Sequence, residues 1–137
     1  LNHLIESERA IISYHFNEIE EIAGIKSYLY SIFYNLILNG IKYRRPGIDP
    51  IITISGYKTD TGIVIRFQDN GKGIEEKNLK NLFGLYKRFD TNIDGKGMGL
   101  FMVKMQVESM GGSINVESEP GKGSAFIVEF PDMTGKY

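Results

Sequence analysis

Apolar and polar residues follow two different periods along this chain, and stretches of each period alternate. Between Ser27 and Tyr43 (SYLYSIFYNLILNGIKY) the period is helical. At about 100° per residue, Leu29, Phe33, Leu36, Ile37 and Gly40 share one broad side. Asn35, Asn39 and Lys42 form a narrow opposite stripe, with Tyr43 at its edge. The spacing predicts one helix over 27–43 with Ser27 as its N-cap. Met98–Met110 repeats the helical period on Leu100, Val103, Val107 and Met110, Glu75–Leu82 suits a shorter helix, and Leu1–Arg9 reads as a helical end.

Elsewhere the period is two. Ala10–Asn17 sets Ile12, Tyr14 and Phe16 against Ser13, His15 and Asn17. Ile51–Tyr57 and Ile63–Asp69 alternate on either side of the turn Thr59-Asp60-Thr61-Gly62. Ser113–Glu119 and Ser124–Phe130 do the same around Glu119-Pro120-Gly121. Phe83–Gly97 has no steady period and is expected to be mostly loop. Strands in adjacent pairs with helices between the pairs predict an α+β fold, a layer of helices on one face of a mainly antiparallel sheet rather than a βαβ wind. The other face of the sheet is left to water.

Composition narrows the class without naming a function. The 137 residues are enough for one cored domain, and 42% hydrophobic content is ordinary for a globular chain. The net charge of -1 supplies no drive toward nucleic acid or an anionic membrane. Charge is uneven, however: the charged residues up to Glu21 are mostly acidic, whereas Lys72, Lys77, Lys80, Lys87, Arg88, Lys96 and Lys104 cluster in the middle. Without cysteine there is no disulfide, thiolate metal site or thiol catalysis. No apolar run approaches a membrane span and no signal peptide is visible. A start at Leu1 leads us to expect a piece of a longer protein, with residues 1–9 as the end of a linker and 10–137 as the domain.

Several short stretches carry chemistry. The carboxamides of Asn35 and Asn39 could ligate a hard cation, and the Lys42 ammonium could pair with phosphate, although two asparagines on a helix are ordinarily just solvated. Asp69-Asn70-Gly71-Lys72-Gly73-Ile74 follows a strand directly. An aspartate there can accept a hydrogen bond from an exocyclic amine, and the glycines let backbone approach a flat ring; the same residues make ordinary turns. Gly95-Lys96-Gly97-Met98-Gly99-Leu100 opens a helix, where exposed N–H groups favour phosphate. Its spacing fits neither the dinucleotide fingerprint nor the Walker loop, and a hinge or cap reads equally well. Gly121-Lys122-Gly123-Ser124 begins the last strand and alone reads as a β-turn. His3 and His15 have no neighbours resembling a metal or triad set.

Their order is more specific than any one of them. An Asn-x-x-x-Asn-x-x-Lys-Tyr helix, DNGKGI, the aromatic segment FGLYKRF, GKGMGL and GKGSAF, in that sequence, closely resemble the ATP-binding catalytic domain of sensor histidine kinases. That domain belongs to the superfamily shared with type II topoisomerases, the mismatch-repair ATPase and the heat-shock chaperone ATPase. The likeness runs from about Ser27 to Phe130. It implies a two-layer α/β sandwich, a mixed sheet under three helices, with ATP lying between helices under a mobile lid.

Carried over by position, the resemblance puts Asp69 on the adenine amine and Gly71 and Gly73 beside the base, with Ile74 and Ser124 among the residues that bind the nucleotide. Asn39 would be the magnesium ligand with Asn35 close by, and Lys42 and Tyr43 would reach phosphates or ribose. Lys87 and Arg88 would contact phosphate from the aromatic box, and Gly95, Gly97, Met98, Gly99 and Leu100 would line the triphosphate. Gly121 and Gly123 would form the last glycine box. Gly40 departs from the usual alanine, which should loosen the helix slightly, and the lid between Phe89 and Gly95 is short. Hydrolytic members carry a glutamate where this chain has Asn35, and a carboxamide cannot serve as general base for water. The resemblance therefore favours a kinase whose acceptor is a histidine on a separate dimerising helical hairpin, with a response regulator as the indirect partner. No such acceptor motif precedes Ser27, so the chain reads as the catalytic half alone, cytoplasmic, touching neither nucleic acid nor membrane, in a parent that could itself be membrane-anchored. A protein-serine kinase of the anti-sigma-factor type shares the same boxes, and a nucleotide-binding module without turnover is the other alternative.

Overall fold

The computed structural model describes residues 2–16, 25–84 and 99–131. In order they form α1 (Asn2–Ser7), β1 (Ile11–Phe16), α2 (Lys26–Lys42), β2 (Ile51–Lys58), β3 (Gly62–Asp69), α3 (Glu76–Leu79), α4 (Gly99–Ser109), β4 (Ser113–Glu119) and β5 (Gly123–Pro131). The strands make one sheet ordered β1-β2-β3-β5-β4. β1 runs parallel to β2, and every other neighbour is antiparallel. The sheet is thus mixed and mainly antiparallel, as the paired strand patterns predict, with one exception to the reading. β1, α2 and β2 do form a βαβ unit, because parallel strands need a crossover and α2 supplies it.

Register divides the sheet into two chemically different faces. Successive residues of a strand point to opposite sides, so directly paired residues form rows across the sheet. One face carries the rows Phe16–Gly56–Ile65–Val128–Ile114 and Tyr14–Ile54–Phe67–Phe126–Val116. Ile54, Ile65 and Val128 are fully buried there, against Ile32, Leu36, Ile37 and Ile41 of α2 and Val103 and Val107 of α4. Phe33 meets Phe67 edge to face at 5.0 Å between ring centroids, and Phe83 meets Phe126 likewise at 6.3 Å. Truncating Phe126 to alanine in such a core would cost about 3–5 kcal/mol. The next row on this face ends the apolar run: Ile12–Ile52–Asp69–Ser124–Ser118. The opposite face carries Ser13, Thr53, Gln68, Ala125 and Glu117, and His15, Ser55, Arg66, Ile127 and Asn115, so it is mostly polar, with Ala125 and Val64 buried on it.

Two expectations about α2 need correction. Ser27 is not the N-cap: Ile25 holds the extended cap conformation and makes no side-chain cap hydrogen bond. The helix starts one residue earlier than its best capping residue because burial of Ile32, Leu36 and Ile37 sets its place on the sheet. Its buried side also includes Ile32 and Ile41, whereas Leu29 and Phe33 are only half-buried. The predicted helix over 75–82 is a single turn, Glu76–Leu79, followed by hydrogen-bonded turns to Gly84.

Candidate functional site

The polar row at the end of the apolar sheet face is where the sequence motifs meet. Asp69 is the last residue of β3, and its Oδ1 accepts two backbone N–H groups, from Gly71 at 2.9 Å and from Ser124 at 3.3 Å. Burial pushes the Asp69 carboxyl above the ordinary carboxylate value, and those two N–H bonds offset only part of the rise. Its second oxygen makes no hydrogen bond among the described residues. A half-buried acceptor beside an apolar floor is suited to the amine edge of a flat heterocycle.

Each neighbouring turn is closed on this point by chain-to-chain contact. The carbonyl of Tyr43, at the C-cap of α2, accepts the Lys72 N–H at 3.0 Å. That approach needs glycine at 71, where a Cβ would stand 2.6 Å from Tyr43 O and 2.9 Å from Asp69 Oδ1. Gly73 has φ +76, and a Cβ there would run into the carbonyl of Glu119. The glycines of DNGKGI are therefore required for packing the chain against itself, whatever they admit besides. Asn70 fastens the same loop to the start of β2: its Oδ1 accepts Ile51 N–H at 2.8 Å and its Nδ2 donates to Asp49 O at 3.2 Å. Arg45 Nε donates to Asn70 O at 2.9 Å, and its Nη1 reaches Gly121 O at 3.4 Å. Ile74 N–H donates to Ser118 Oγ at 2.7 Å, which ties the DNGKGI loop to the end of β4.

On the helical side, Asn35, Asn39 and Lys42 are half-buried along α2. Asn35 Nδ2 donates to Ser31 O at 2.8 Å and to Ser31 Oγ at 3.2 Å, so its Oδ1 is turned outward. A Cβ on Gly99 would lie 3.1 Å from that oxygen, so α2 meets the first residue of α4 at Asn35. The Asn39 carboxamide makes no side-chain hydrogen bond among the described residues. Leu100 packs against the core from the same turn. Lys87, Arg88, Gly95, Gly97 and Met98 lie outside the described residues.

Of the sequence-predicted residues, the structure brings Asp69, Gly71, Gly73, Ile74 and Ser124 together with the C-terminal end of α2 at Tyr43. It places Asn35 against Gly99. Ser118, Arg45 and Ser31 are site neighbours that the motifs do not announce. Only Ser118 left a signal, as the polar last member of an alternating strand's inward positions (Ile114, Val116, Ser118). An open cleft of about 270 Å³ is lined by Asp69, Ser118 and Ser124 together with Arg66, Gln68 and Glu117, so it joins the polar row to residues of the opposite sheet face. Among the described residues no group of His, Asp or Glu could cage a metal ion, and no helix is long and apolar enough to cross a membrane.

Known proteins share both the sequence pattern and this architecture. The chain is 33% identical over 105 residues to the sensor protein RprX of Bacteroides fragilis (strain YCH46), covering 74% of this chain and 20% of that protein. It is 37% identical over 101 residues to the sensor protein SrrB of Staphylococcus aureus (strain NCTC 8325 / PS 47), covering 71% of this chain and 17% of that one. It thus spans a fifth or less of the length of these relatives. Among solved structures it is similar to the mycobacterial sensor histidine kinase MprB, with a TM-score of 0.79 at 22% identity, covering 95% of this chain and 89% of that one. Full-length ShkA, solved in complex with AMPPNP, gives a TM-score of 0.81 at 23% identity, covering 94% of this chain and 27% of that one. The structural likeness speaks for the fold. Over residues 24–134 the chain matches, and therefore belongs to, the family of histidine kinase-, DNA gyrase B- and HSP90-like ATPases.

Proposed function

We propose that this chain binds ATP with magnesium and donates the γ-phosphate to a histidine on a separate helical hairpin, as the cytoplasmic catalytic domain of a two-component sensor histidine kinase. The observation that carries the reading is Asp69: a half-buried carboxylate at the end of an apolar sheet face, one oxygen held by two backbone N–H groups and the other available to an exocyclic amine. Adenine supplies that amine, whereas guanine presents a carbonyl in its place. Gly71, Gly73, Ile74 and Ser124 would surround the base. Lys42 and Tyr43 would lie toward ribose and phosphates, and Gly95, Gly97, Met98, Gly99 and Leu100 would lie along the triphosphate. Lys87 and Arg88 are proposed phosphate contacts.

The donor set suits magnesium of the kind that arrives with its nucleotide. Magnesium keeps several waters and takes one or two protein oxygens plus phosphate, so a site without a carboxylate cage fits it. Asn39, whose carboxamide is not otherwise engaged among the described residues, would offer that protein oxygen. Asn35 supports transfer over hydrolysis, because its carboxamide cannot remove a proton from water. What remains is a site that holds a nucleotide for a nucleophile brought from elsewhere, by positioning and charge.

Calorimetric titration of ATP into the parent and Asp69→Asn tests the reading. Loss of one charged hydrogen bond should weaken binding by about 1.5–3 kcal/mol. Equal affinity in the two proteins would remove the adenine assignment.

A further inference from the structure

The Asp69 carboxylate is located by two turns at once. Its Oδ1 accepts the Gly71 N–H at 2.9 Å, from the turn after β3, and the Ser124 N–H at 3.3 Å, from the strand that the Gly121-Lys122-Gly123-Ser124 turn opens. Both bonds fall on one oxygen only while the two turns keep their spacing. Should the turns part, Oδ1 follows one of them, and the second oxygen swings with it.

A side chain from a third segment spans these turns. Arg45, in the loop after α2, donates from Nε to Asn70 O at 2.9 Å and from Nη1 to Gly121 O at 3.4 Å. The directions are unambiguous, because a guanidinium only donates and a carbonyl only accepts. Asn70 O and Gly71 N belong to the same peptide unit, which is a rigid plane. Arg45 therefore holds one end of the plane whose other end donates to Asp69 Oδ1. Its second bond reaches the other turn three residues before Ser124. Backbone bonds draw the same segments together, since Lys72 O accepts Gly121 N–H at 2.6 Å and Tyr43 O accepts Lys72 N–H at 3.0 Å. The neighbouring arginine is engaged differently: Arg44 pairs with Glu8 of α1 at 2.7 Å and donates to Ile41 O at 3.3 Å.

We propose that Arg45 is a positioning residue for the base: by pinning the Asn70–Gly71 peptide and the Gly121 turn, it aims the second Asp69 oxygen before the nucleotide arrives. The inference rests on the adenine reading of Asp69. Arg45 makes no contact with the base in this role, and its effect passes wholly through Asp69. A carboxylate aimed in advance spares binding the cost of ordering it.

The experiment measures adenosine and ATP affinity by NMR titration of the folded chain, for the parent, Arg45→Ala, Asp69→Asn and the double variant. Arg45→Ala should weaken both ligands by the same factor, about fivefold, the worth of one hydrogen bond. In the Asp69→Asn background no carboxylate remains to be aimed, so adding Arg45→Ala should cost ATP little further affinity. Arg44→Ala removes the same charge one residue away and should leave both affinities at the parent's values. Weaker ATP binding with adenosine unchanged would make Arg45 a direct phosphate contact and overturn the proposal. Unchanged binding of both ligands, an equal loss with and without Asp69→Asn, or the same loss in Arg44→Ala would overturn it as well. Should Arg45→Ala not fold, Arg45→Lys decides, since it keeps a charge for phosphate but loses the planar group that reaches both carbonyls. Weakened adenosine binding in that variant supports the role, and unchanged adenosine binding overturns it. A parent that binds no adenosine, or an Asp69→Asn variant that binds ATP as the parent does, would instead overturn the adenine reading beneath it.

Discussion

Gly40 and Ile52 meet so closely that a Cβ on the glycine would stand 3.0 Å from Ile52 Cδ1 and 3.2 Å from its Cγ1. Asp69 Cβ is next nearest to that point, at 3.4 Å. The last turn of α2 therefore lies directly on the row that carries Ile52 and Asp69, with no side chain between. Glycine weakens a helix interior by about 1 kcal/mol relative to alanine, and here the close approach to the sheet offsets that cost.

Gly40→Ala accordingly sets two effects against each other. The helix gains about 1 kcal/mol, while crowding of Ile52 costs about 1–3 kcal/mol in a packed core. We expect a net loss of about 1 kcal/mol, recovered when Ile52→Val removes the Cδ1 that the new methyl meets. Denaturant unfolding of the parent, both single variants and the double would measure the coupling. Strict additivity would mean that α2 can shift off the sheet without penalty.

The chain's sequence discloses its strands better than its helix faces, for a physical reason. β2 and β4 set one face on the core and the other toward water, so their alternation survives in the residue pattern. α2 is apolar over most of its surface, with Tyr28, Tyr30 and Tyr34 scattered among the aliphatics, so period alone could not find Ile32 and Ile41 at its deepest line. The parallel pairing of β1 was hidden because it depends on where α2 returns the chain. In the site, Asp69 was legible from its place between a strand and a glycine turn. Ser118 and Arg45 act through atoms brought together over long separations in sequence, Ile74 in one case and Asn70 and Gly121 in the other. Nothing local in the chain marks such partners.

Asp69 should make the unliganded protein less stable at neutral pH than it is in mild acid. Burial raises its folded pKa, so the folded chain holds the proton more tightly than the unfolded one. Its contribution is then fully favourable below the unfolded carboxylate value and is lost as pH rises through the raised folded value. Asparagine has no charge to desolvate and keeps an oxygen for the N–H groups of Gly71 and Ser124. Asp69→Asn should therefore melt above the parent at neutral pH, the gap closing below the ordinary carboxylate range. A melting temperature lower than the parent's at neutral pH would mean that the ionised carboxylate stabilises the fold.

Asn39 and Asn35 should separate under substitution although they lie one turn apart on α2. Asn39→Ala should remove most of the strengthening of ATP binding by magnesium, while adenosine, which has no phosphate, binds as before. Magnesium dependence equal to the parent's would place the ion elsewhere. Asn35→Glu adds a proton acceptor beside Gly99 and should raise ATP hydrolysis above that of the parent. No increase, with ATP binding intact, would mean that hydrolysis is limited by something other than a missing base.

This chain alone should bind nucleotide and yet fail to phosphorylate itself. Transfer needs the acceptor nitrogen in line and about 3–3.5 Å from the γ-phosphorus. His15 pairs with Ser55 and points to the water side of the sheet, whereas Asp69 belongs to the row on the helical side, so the sheet itself separates them. His3 is exposed on α1. The first acidic residue after it, Glu6, lies one turn on within the same short helix. His15 cannot reach the helical side of the sheet without unmaking β1. Supplying a helical hairpin with an acceptor histidine, as a separate dimer, should restore transfer. Incubation with γ-labelled ATP followed by acid and alkali treatment reads the outcome, since phosphohistidine is acid-labile and alkali-stable. Acid-labile label on the isolated chain, abolished by His3→Ala or His15→Ala, would show that the acceptor travels with the domain and that the division into a catalytic half and a separate hairpin is wrong.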